Sequence, residues 1–578
     1  MLIAACVRLV GLVDFTGSLY GDFLIWDEQV YHQWASSLVD DSVKSLPVRD
    51  FTPLPAYAMA ALYALFSPDP QYFRYFNLLL GVLTCGLIYF IGMEISGRAV
   101  GFGSGFAAAL YKPFIFFSVT ALKSSLSVFL FAMVVLLFLR CLKIDRPMHT
   151  LLLGVFAGLF INVRANFVLA LPLLPVLLAW HRCRLNRQWT AAAMLVGTYL
   201  VGLVISTAPF VVKNYRETGQ MALTAAGGFN LYLANNPDNP CPYYRPVPFA
   251  VSTPAFQATQ FTIEASRRSG RRLSSREASA FWTREVFDRT RDRPGWFVGK
   301  LFQKVLALFN RFESADNYDI DFISRFVTFF SLPFFCIGLM IPLGMAGILR
   351  AMIKKERSAV HLFLISFVYA STLVLFFTNI RIRLPLLVVW IPYAVYGLWS
   401  IIEDICQYRA KAAGLFLGMV LFFAIISRIS LSCSDDLTGH YNTHAVNLMR
   451  KGREAEAISF WKASAEMEKP YSAYANLSLA GYYFNRGFPE KALGYLDRIP
   501  DSSFAAAQRY ERIGDLLLPG NVGGAVAAYE KSLSNNSGQL EPRMKLLRLF
   551  KRYDPRRAEI ESQKIDYVAS FYNAKDEK

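Results

Sequence analysis

Histidine is scarce in this chain, with six residues in 578, and none of the eight cysteines sits at metal-ligand spacing from another. Cys6, Cys85, Cys141, Cys183, Cys241, Cys336, Cys406 and Cys433 are scattered singly, so no dedicated metal cage is visible and no metal ligand is assigned. Most lie in or beside apolar runs, where a lone Cys is a small hydrophobe. A Cys241–Cys433 bridge remains open if both face an oxidising compartment. Charge is also thin: 18% of residues are Asp, Glu, Lys or Arg, against about 25% in soluble domains. That excludes an ordinary soluble enzyme. The net charge of +17 raises nucleic-acid binding, but the basic residues are largely confined to short segments between apolar runs. That pattern is membrane topology, and no nucleic-acid partner is expected. No cleavable signal sequence is evident, and the first apolar stretch is short for a span, which leaves open a start upstream of Met1.

What is abundant is apolar length. Hydrophobic residues make up 54% of the chain and aromatics 15%, with a mean hydropathy of +0.32. Apolar runs of span length recur through the first three quarters, which predicts an all-α polytopic membrane bundle. Four basic clusters, Arg140/Lys143/Arg146, Arg182/Arg184/Arg187, Arg350/Lys354/Lys355/Arg357 and Arg409/Lys411, should all be cytoplasmic. About eleven spans satisfy them, at 2–13, 75–94, 98–117, 122–142, 149–163, 166–181, 190–212, 324–350, 359–378, 384–403 and 412–430. This topology puts the loops 14–74 and 213–323 and the tail outside. If 149–163 and 166–181 were a single span, the tail would be cytoplasmic instead.

Past residue 434 the long apolar runs stop and the chain repeats. Gly452-Arg-Glu-Ala-Glu-Ala457, Gly487-Phe-Pro-Glu-Lys-Ala492 and Gly520-Asn-Val-Gly-Gly-Ala525 recur at spacings of 35 and 33, each followed by an aromatic, Trp461, Tyr495 or Tyr529. A period of about 34 with a turn Gly and a small packing Ala predicts a small α-solenoid of tetratricopeptide type over 434–578. Such a unit offers a groove for a protein partner.

The residues with chemistry to offer lie outside the spans. Asp27-Glu28 stands just beyond the first apolar stretch, where a carboxylate is costly without a partner. On a helix starting there, Asp27, Tyr31 and Trp34 share a face, an acid with aromatic platforms suited to a sugar or a prenyl chain. The other reading is that Asp27 N-caps an interfacial helix; the local sequence leaves both open. Lys112, Lys123, Arg164, Lys213, Arg381 and Arg383 fall at the outer boundary, opposite to the side the positive-inside rule favours. A phosphate or pyrophosphate head group would satisfy several of them together. Arg381-Ile-Arg383-Leu-Pro385, at the start of a span, is the sharpest of these. In the long insert, Gly227-Gly-Phe-Asn-Leu-Tyr-Leu-Ala-Asn-Asn-Pro237 supplies Asn230, Tyr232 and Asn235 as sugar or acceptor contacts, although Asn-Asn-Pro alone is a turn. Asp316-Asn-Tyr-Asp319 reads as a solvated junction.

Taken in order, Trp26-Asp-Glu-Gln-Val-Tyr31, Thr52-Pro-Leu-Pro55, Arg74, Arg164-Ala-Asn166, Pro209 with Lys213-Asn214, the Gly-Gly-Phe-Asn-Leu-Tyr run and Arg381-Ile-Arg-Leu-Pro385 resemble the GT-C superfamily of glycosyltransferases. The likeness is closest to glycosyltransferase family 39, the protein O-mannosyltransferase and aminoarabinose-transferase type, and covers residues 1–430. The usual Pro-Pro-Leu is Thr52-Pro-Leu here. The resemblance implies an inner-membrane enzyme that takes a sugar from a polyprenyl-phosphate donor to an acceptor hydroxyl on a protein or glycolipid. It implies an active site on the periplasmic face, with Asp27 as general base and Glu28 in support. The implied leaving-group site draws on Arg381, Arg383, Lys123, Arg164 and Arg74, with Tyr31 and Trp34 near the sugar; a divalent metal requirement stays open. Two other classes remain: an O-antigen ligase or polymerase, and a non-enzymatic envelope scaffold working through its repeats.

Overall fold

The computed structural model describes all residues except 41, 43–50, 145, 187–188, 219–220, 222–223, 225–226, 432–435 and 573–578. Arg187 and Cys433 therefore lie outside the described residues. Among those described, the chain is helical throughout, with one isolated bridge between Tyr111 and Phe335 in place of any sheet. The all-α expectation holds.

Among the described residues six helices are long and apolar enough to cross a membrane, or seven if the bent pair Leu2–Thr16 and Leu19–Val39 counts as one. This falls short of eleven for identifiable reasons. Pro70–Ala109 registers as one helix, yet its backbone leaves helical geometry at Ser96 and Gly97. Gly97 takes φ +83°, a left-handed turn that glycine adopts without a Cβ clash. The two halves fold back on each other. A Cβ at Gly101 would meet the Tyr89 carbonyl oxygen at 2.8 Å, and one at Gly92 would meet Gly101 Cα at 3.0 Å. Small residues let backbones approach where lipid supplies no hydrophobic drive, so this pair is a hairpin. The expected span 98–117 is corrected. It ends at Ala109, and a separate helix, Lys112–Ser118, follows the Tyr111 bridge. The expected span 324–350 is corrected too, because its first part is irregular and the helix runs Ile337–Ile353. Pro147–Ile161, Ile337–Ile353 and Ala410–Ile426 are apolar but shorter than a full span.

The segment around Arg164 is a genuine reversal. Helix Pro147–Ile161 ends at Asn162, a 3-10 turn spans Ala165–Ala170, and helix Leu173–Asn186 runs back. Arg182 at its far end donates to the Cys141 carbonyl at 3.3 Å, beside the start of the first helix. Lys143 pairs with Glu94 at 2.7 Å, and His361 packs against Trp180 and Phe138. Arg350, with the Ala412 carbonyl and Asp404 as partners, joins three more helix ends. Described members of all four basic clusters thus mark helix ends remote from Arg164, Lys123 and Arg381.

Beyond Leu437 four helical hairpins stack in sequence, from Thr438–Arg450 to Pro555–Tyr572. Gly452 and Gly487 adopt φ +74° and +77° between paired helices, the left-handed conformation that ends a helix. Ala457, Ala492 and Ala525 are fully buried, so the small residue of each unit is where neighbouring helices meet. The stack rests on the end of the bundle opposite the basic clusters. Tyr471 donates to the Tyr244 carbonyl at 3.0 Å, and Gln260 bonds to both Asn536 and Tyr572.

Candidate active site

Three separate turns bring carboxylates and cations together at this end. Helix Asp27–Val39 starts at Asp27, with Trp26 as its N-cap and no side-chain cap. Trp26 takes φ +47°, a strained conformation for a bulky residue. The capping alternative for Asp27 therefore fails on geometry: its carboxylate points away from the helix and accepts from Arg381 at 2.8 Å. Arg381 lies in the first turn of helix Ile380–Cys406, whose start is fixed by Asn379 accepting from Ile382 N–H at 3.0 Å. The same guanidinium grips Asp316, with Nε at 2.8 Å. Asn379 donates to that carboxylate at 2.7 Å. Asp316 is thus part of the cluster and not a solvated junction. No local signal marked it, because its partner lies 65 residues downstream.

A cationic wall faces this pair. Thr52, the N-cap of helix Pro53–Leu65, donates to the Val163 carbonyl at 3.1 Å, and Leu54 N–H bonds Asn162. That junction brings the Arg164 turn against the Asp27 helix. Arg164 is buried and donates to the Arg381 carbonyl at 3.2 Å. Lys123, just ahead of helix Ser124–Lys143, donates to Thr52 Oγ1 at 2.9 Å and lies 5.5 Å from the Tyr31 ring centre. An ammonium has three donors, and Thr52 takes one of them. Lys123, Arg164 and Arg381 thus stand against Asp27 and Asp316; desolvation pulls the Lys123 pKa well below its usual value, Arg164 adds to the shift and Asp27 opposes it, so an anion bound beside Lys123 would favour its charged form.

Glu28 has a different place. It is fully buried and accepts from Ala121 N–H at 2.8 Å and from the Tyr318 hydroxyl at 2.7 Å. Burial pushes its carboxyl pKa up, opposed by nearby Arg74 and by these hydrogen bonds. Glu28 ties the Asp27 turn to the 121 and 318 segments. Arg74 is buried behind it, donating to the Gly21 carbonyl at 2.9 Å.

Several expected contacts lie elsewhere. Arg383 is buried on another side of the helix and directs its nitrogens to the carbonyls of Asn310 at 2.9 Å and Phe312 at 2.8 Å, capping the end of helix Pro294–Phe309. It is not beside Asp27. Lys112 pairs with exposed Asp321 at 3.5 Å, and Lys213 with the Tyr57 hydroxyl. Tyr31 is 1% exposed, its hydroxyl against Thr52, and presents no open face. Trp34 is half-buried and stacks over it at 6.5 Å. Tyr232 is core, enclosed by Phe261 and by Trp282, whose ring centre is 4.5 Å away. Asn230 is half-buried in helix Gly227–Ala234. Asn235 is held by the Leu375 carbonyl at 3.0 Å and by Lys304 at 2.8 Å. Gly227–Ala234 is helical, and the chain turns after it at Asn235-Asn236-Pro237. Among the described residues no three His, Cys, Asp or Glu side chains converge as metal ligands.

Lys304 is buried, and desolvation pushes its pKa down to about 7. Between about pH 7 and 10 the unfolded chain therefore binds a proton that the folded chain does not, so stability rises with pH across that window. Thermal unfolding of the purified protein should show Tm rising over this range, and Lys304→Met should flatten the rise. Parallel curves for the two proteins would refute the assignment.

Residues 50–208, which contain Thr52, Arg74, Lys123 and Arg164, match the family model described as dolichyl-phosphate-mannose-protein mannosyltransferase. That segment of the chain is similar to this family, and several helices of the chain are long and apolar enough to cross a membrane. No curated protein matches the chain. Among solved structures, it is similar to the archaeal oligosaccharyltransferase AglB from Archaeoglobus fulgidus, in complex with an inhibitory peptide and a dolichol-phosphate. The identity is 11% and the TM-score 0.42, over 77% of this chain and 57% of that one. It is also similar to ArnT from Cupriavidus metallidurans bound to undecaprenyl phosphate, at 14% identity and TM-score 0.32, over 74% of this chain and 87% of that one. The chain thus spans little more than half of the AglB chain.

Proposed function

We propose that this chain transfers a sugar from a polyprenyl-phosphate donor to an acceptor hydroxyl at the membrane face carrying Asp27. The observation that carries the reading is a carboxylate, Asp27, fixed 2.8 Å from Arg381 beside Lys123 and Arg164. The acceptor oxygen attacks the anomeric carbon, Asp27 takes its proton, and the bond from that carbon to the phosphate oxygen breaks. The lipid phosphate departs with the electron pair, so cations can replace a general acid. Lys123 is the foremost phosphate ligand because Thr52 is its one hydrogen-bond partner among the described residues and an anionic phosphate would favour its charged form. Arg164 assists, and Arg381 holds the acids in place.

The matched family, described by its dolichyl-phosphate donor, supports a polyprenyl carrier. A periplasmic placement is supported by the basic clusters at the opposite end. It is also supported by Cys241 of the insert, which is disulfide-bonded. The test is mass spectrometry of envelope glycolipids and glycoproteins from a deletion strain beside wild type. One glycan should vanish from a lipid or protein and return with the intact gene. Identical profiles would overturn the proposal.

A further inference from the structure

The repeat unit touches both loops that carry the acid pair. Tyr20, in the short helix Leu19–Asp22 just ahead of Asp27, is buried, and its hydroxyl bonds His444 Nδ1 at 2.8 Å. His444 belongs to helix Thr438–Arg450, the first of the repeats, and stacks on Phe326 with ring centres 4.1 Å apart. Tyr441 of the same helix packs on Phe322 at 5.1 Å. Lys451 pairs with Asp22 at 2.8 Å. Tyr20 in turn meets the Tyr318 ring edge-on at 6.5 Å, and Tyr318 donates to Glu28. One continuous set of contacts thus runs from His444 through Tyr20 and Tyr318 to Glu28, next to Asp27 and two residues from Asp316.

A second grip lies on the insert, through Tyr471 to the Tyr244 carbonyl, Tyr474 to Ser252 at 2.7 Å and Asn536 to Gln260 at 3.0 Å. The aromatic face that helices Thr438–Arg450 and Ser472–Asn485 turn toward the bundle is occupied by the chain itself. Holding two loops nearly 290 residues apart to hydrogen-bond tolerance costs conformational entropy, and the repeats supply the buried contacts that offset it.

We propose that the repeat unit is an intramolecular clamp, with His444 and Tyr20 as positioning residues that fix the Asp27 and Asp316 loops for transfer. The inference rests on the reading of those acids as the working site. Transfer is far more sensitive to such placement than folding is, since a shift of about 1 Å at the reacting groups costs on the order of a hundredfold in rate.

Hydrogen–deuterium exchange of the full-length protein in nanodiscs tests the clamp. His444→Ala and Tyr20→Phe, the latter removing only a hydroxyl, should each raise exchange roughly tenfold in both 17–31 and 311–323. Asp22→Lys should do so too, and adding Lys451→Asp should restore protection, which no role confined to one domain explains. Restoration of the missing glycan in the deletion strain should fall in step. Thermal protection by undecaprenyl phosphate should persist. Exchange that rises only in the segment bearing each substitution overturns the clamp. If Asp27→Asn transfers normally while the exchange coupling is seen, the site reading fails and the clamp stands.

Discussion

Asp27→Asn should lower transfer by about 10³–10⁴-fold, the upper range for loss of a positioned general base, while leaving abundance and thermal stability near wild type. The rate loss corresponds to about 4–5 kcal/mol of transition-state stabilisation. The fold should survive because the substituted amide keeps an oxygen for Arg381 to donate to, and Arg381 retains Asp316. What disappears is the proton acceptor. One carboxylate oxygen of Asp27 takes the Arg381 hydrogen bond, and the other has no hydrogen-bond partner among the described residues. That leaves it available to a substrate hydroxyl. The control is Asp316→Asn. Asp316 takes two Arg381 nitrogens and the Asn379 amide, so its substitution should cost activity through a loosened Arg381, about 10–100-fold. Complementation of the deletion strain, quantified by mass spectrometry of the restored glycan, measures both. Near-normal transfer by Asp27→Asn would sink the assignment, and the reverse order of the two variants would move the base to Asp316.

Much of this site was legible in the sequence, and the misses share a physical cause. Adjacent acids beside an apolar run need a partner, and cations on the wrong side of a membrane need an anion; each stands out against its surroundings. Which cation meets which acid is set by helix geometry. Residues i and i+2 on a helix point about 200° apart, so Arg381 and Arg383 could not both face Asp27, and Arg383 turns to the carbonyls at a helix end. Asp316 was invisible because its identity as a partner depends on a pairing across 65 residues. The amide-rich run at 227–237 looked like a sugar site because turn chemistry and sugar recognition draw on the same side chains. Here Asn235 is taken up by the Leu375 carbonyl and Lys304, and Asn236 accepts from the Asp238 N–H. The repeats were easier to see, since a small residue every 33 to 35 positions is a packing demand that sequence displays directly. Their docking on the Asp27 loop is carried by Tyr20 and His444, which carry no pattern at all.

Arg381→Met should be the most destructive change at the site, acting on stability as well as rate. The guanidinium is 8% exposed and lies between carboxylates that are 16% and 29% exposed. Removing it leaves two like charges close together in a poorly hydrated pocket. Breaking a buried pair by deleting one partner costs about 3–5 kcal/mol; the lower end applies, because water reaches Asp316. The Arg164 turn should hold, because Arg164 donates to the backbone carbonyl of residue 381, which the substitution leaves in place. Arg381→Lys separates charge from geometry. A lysine keeps the positive charge but lacks the planar fork that reaches both acids at once, so stability should largely return while transfer stays down by about a hundredfold. Thermal unfolding in detergent reads the first effect and glycan restoration the second. The decisive comparison is Arg381→Met with Asp316→Asn added. If repulsion between the two carboxylates is the cause, neutralising one should recover part of the lost stability. A double variant no more stable than Arg381→Met alone would show that the guanidinium serves packing and not charge.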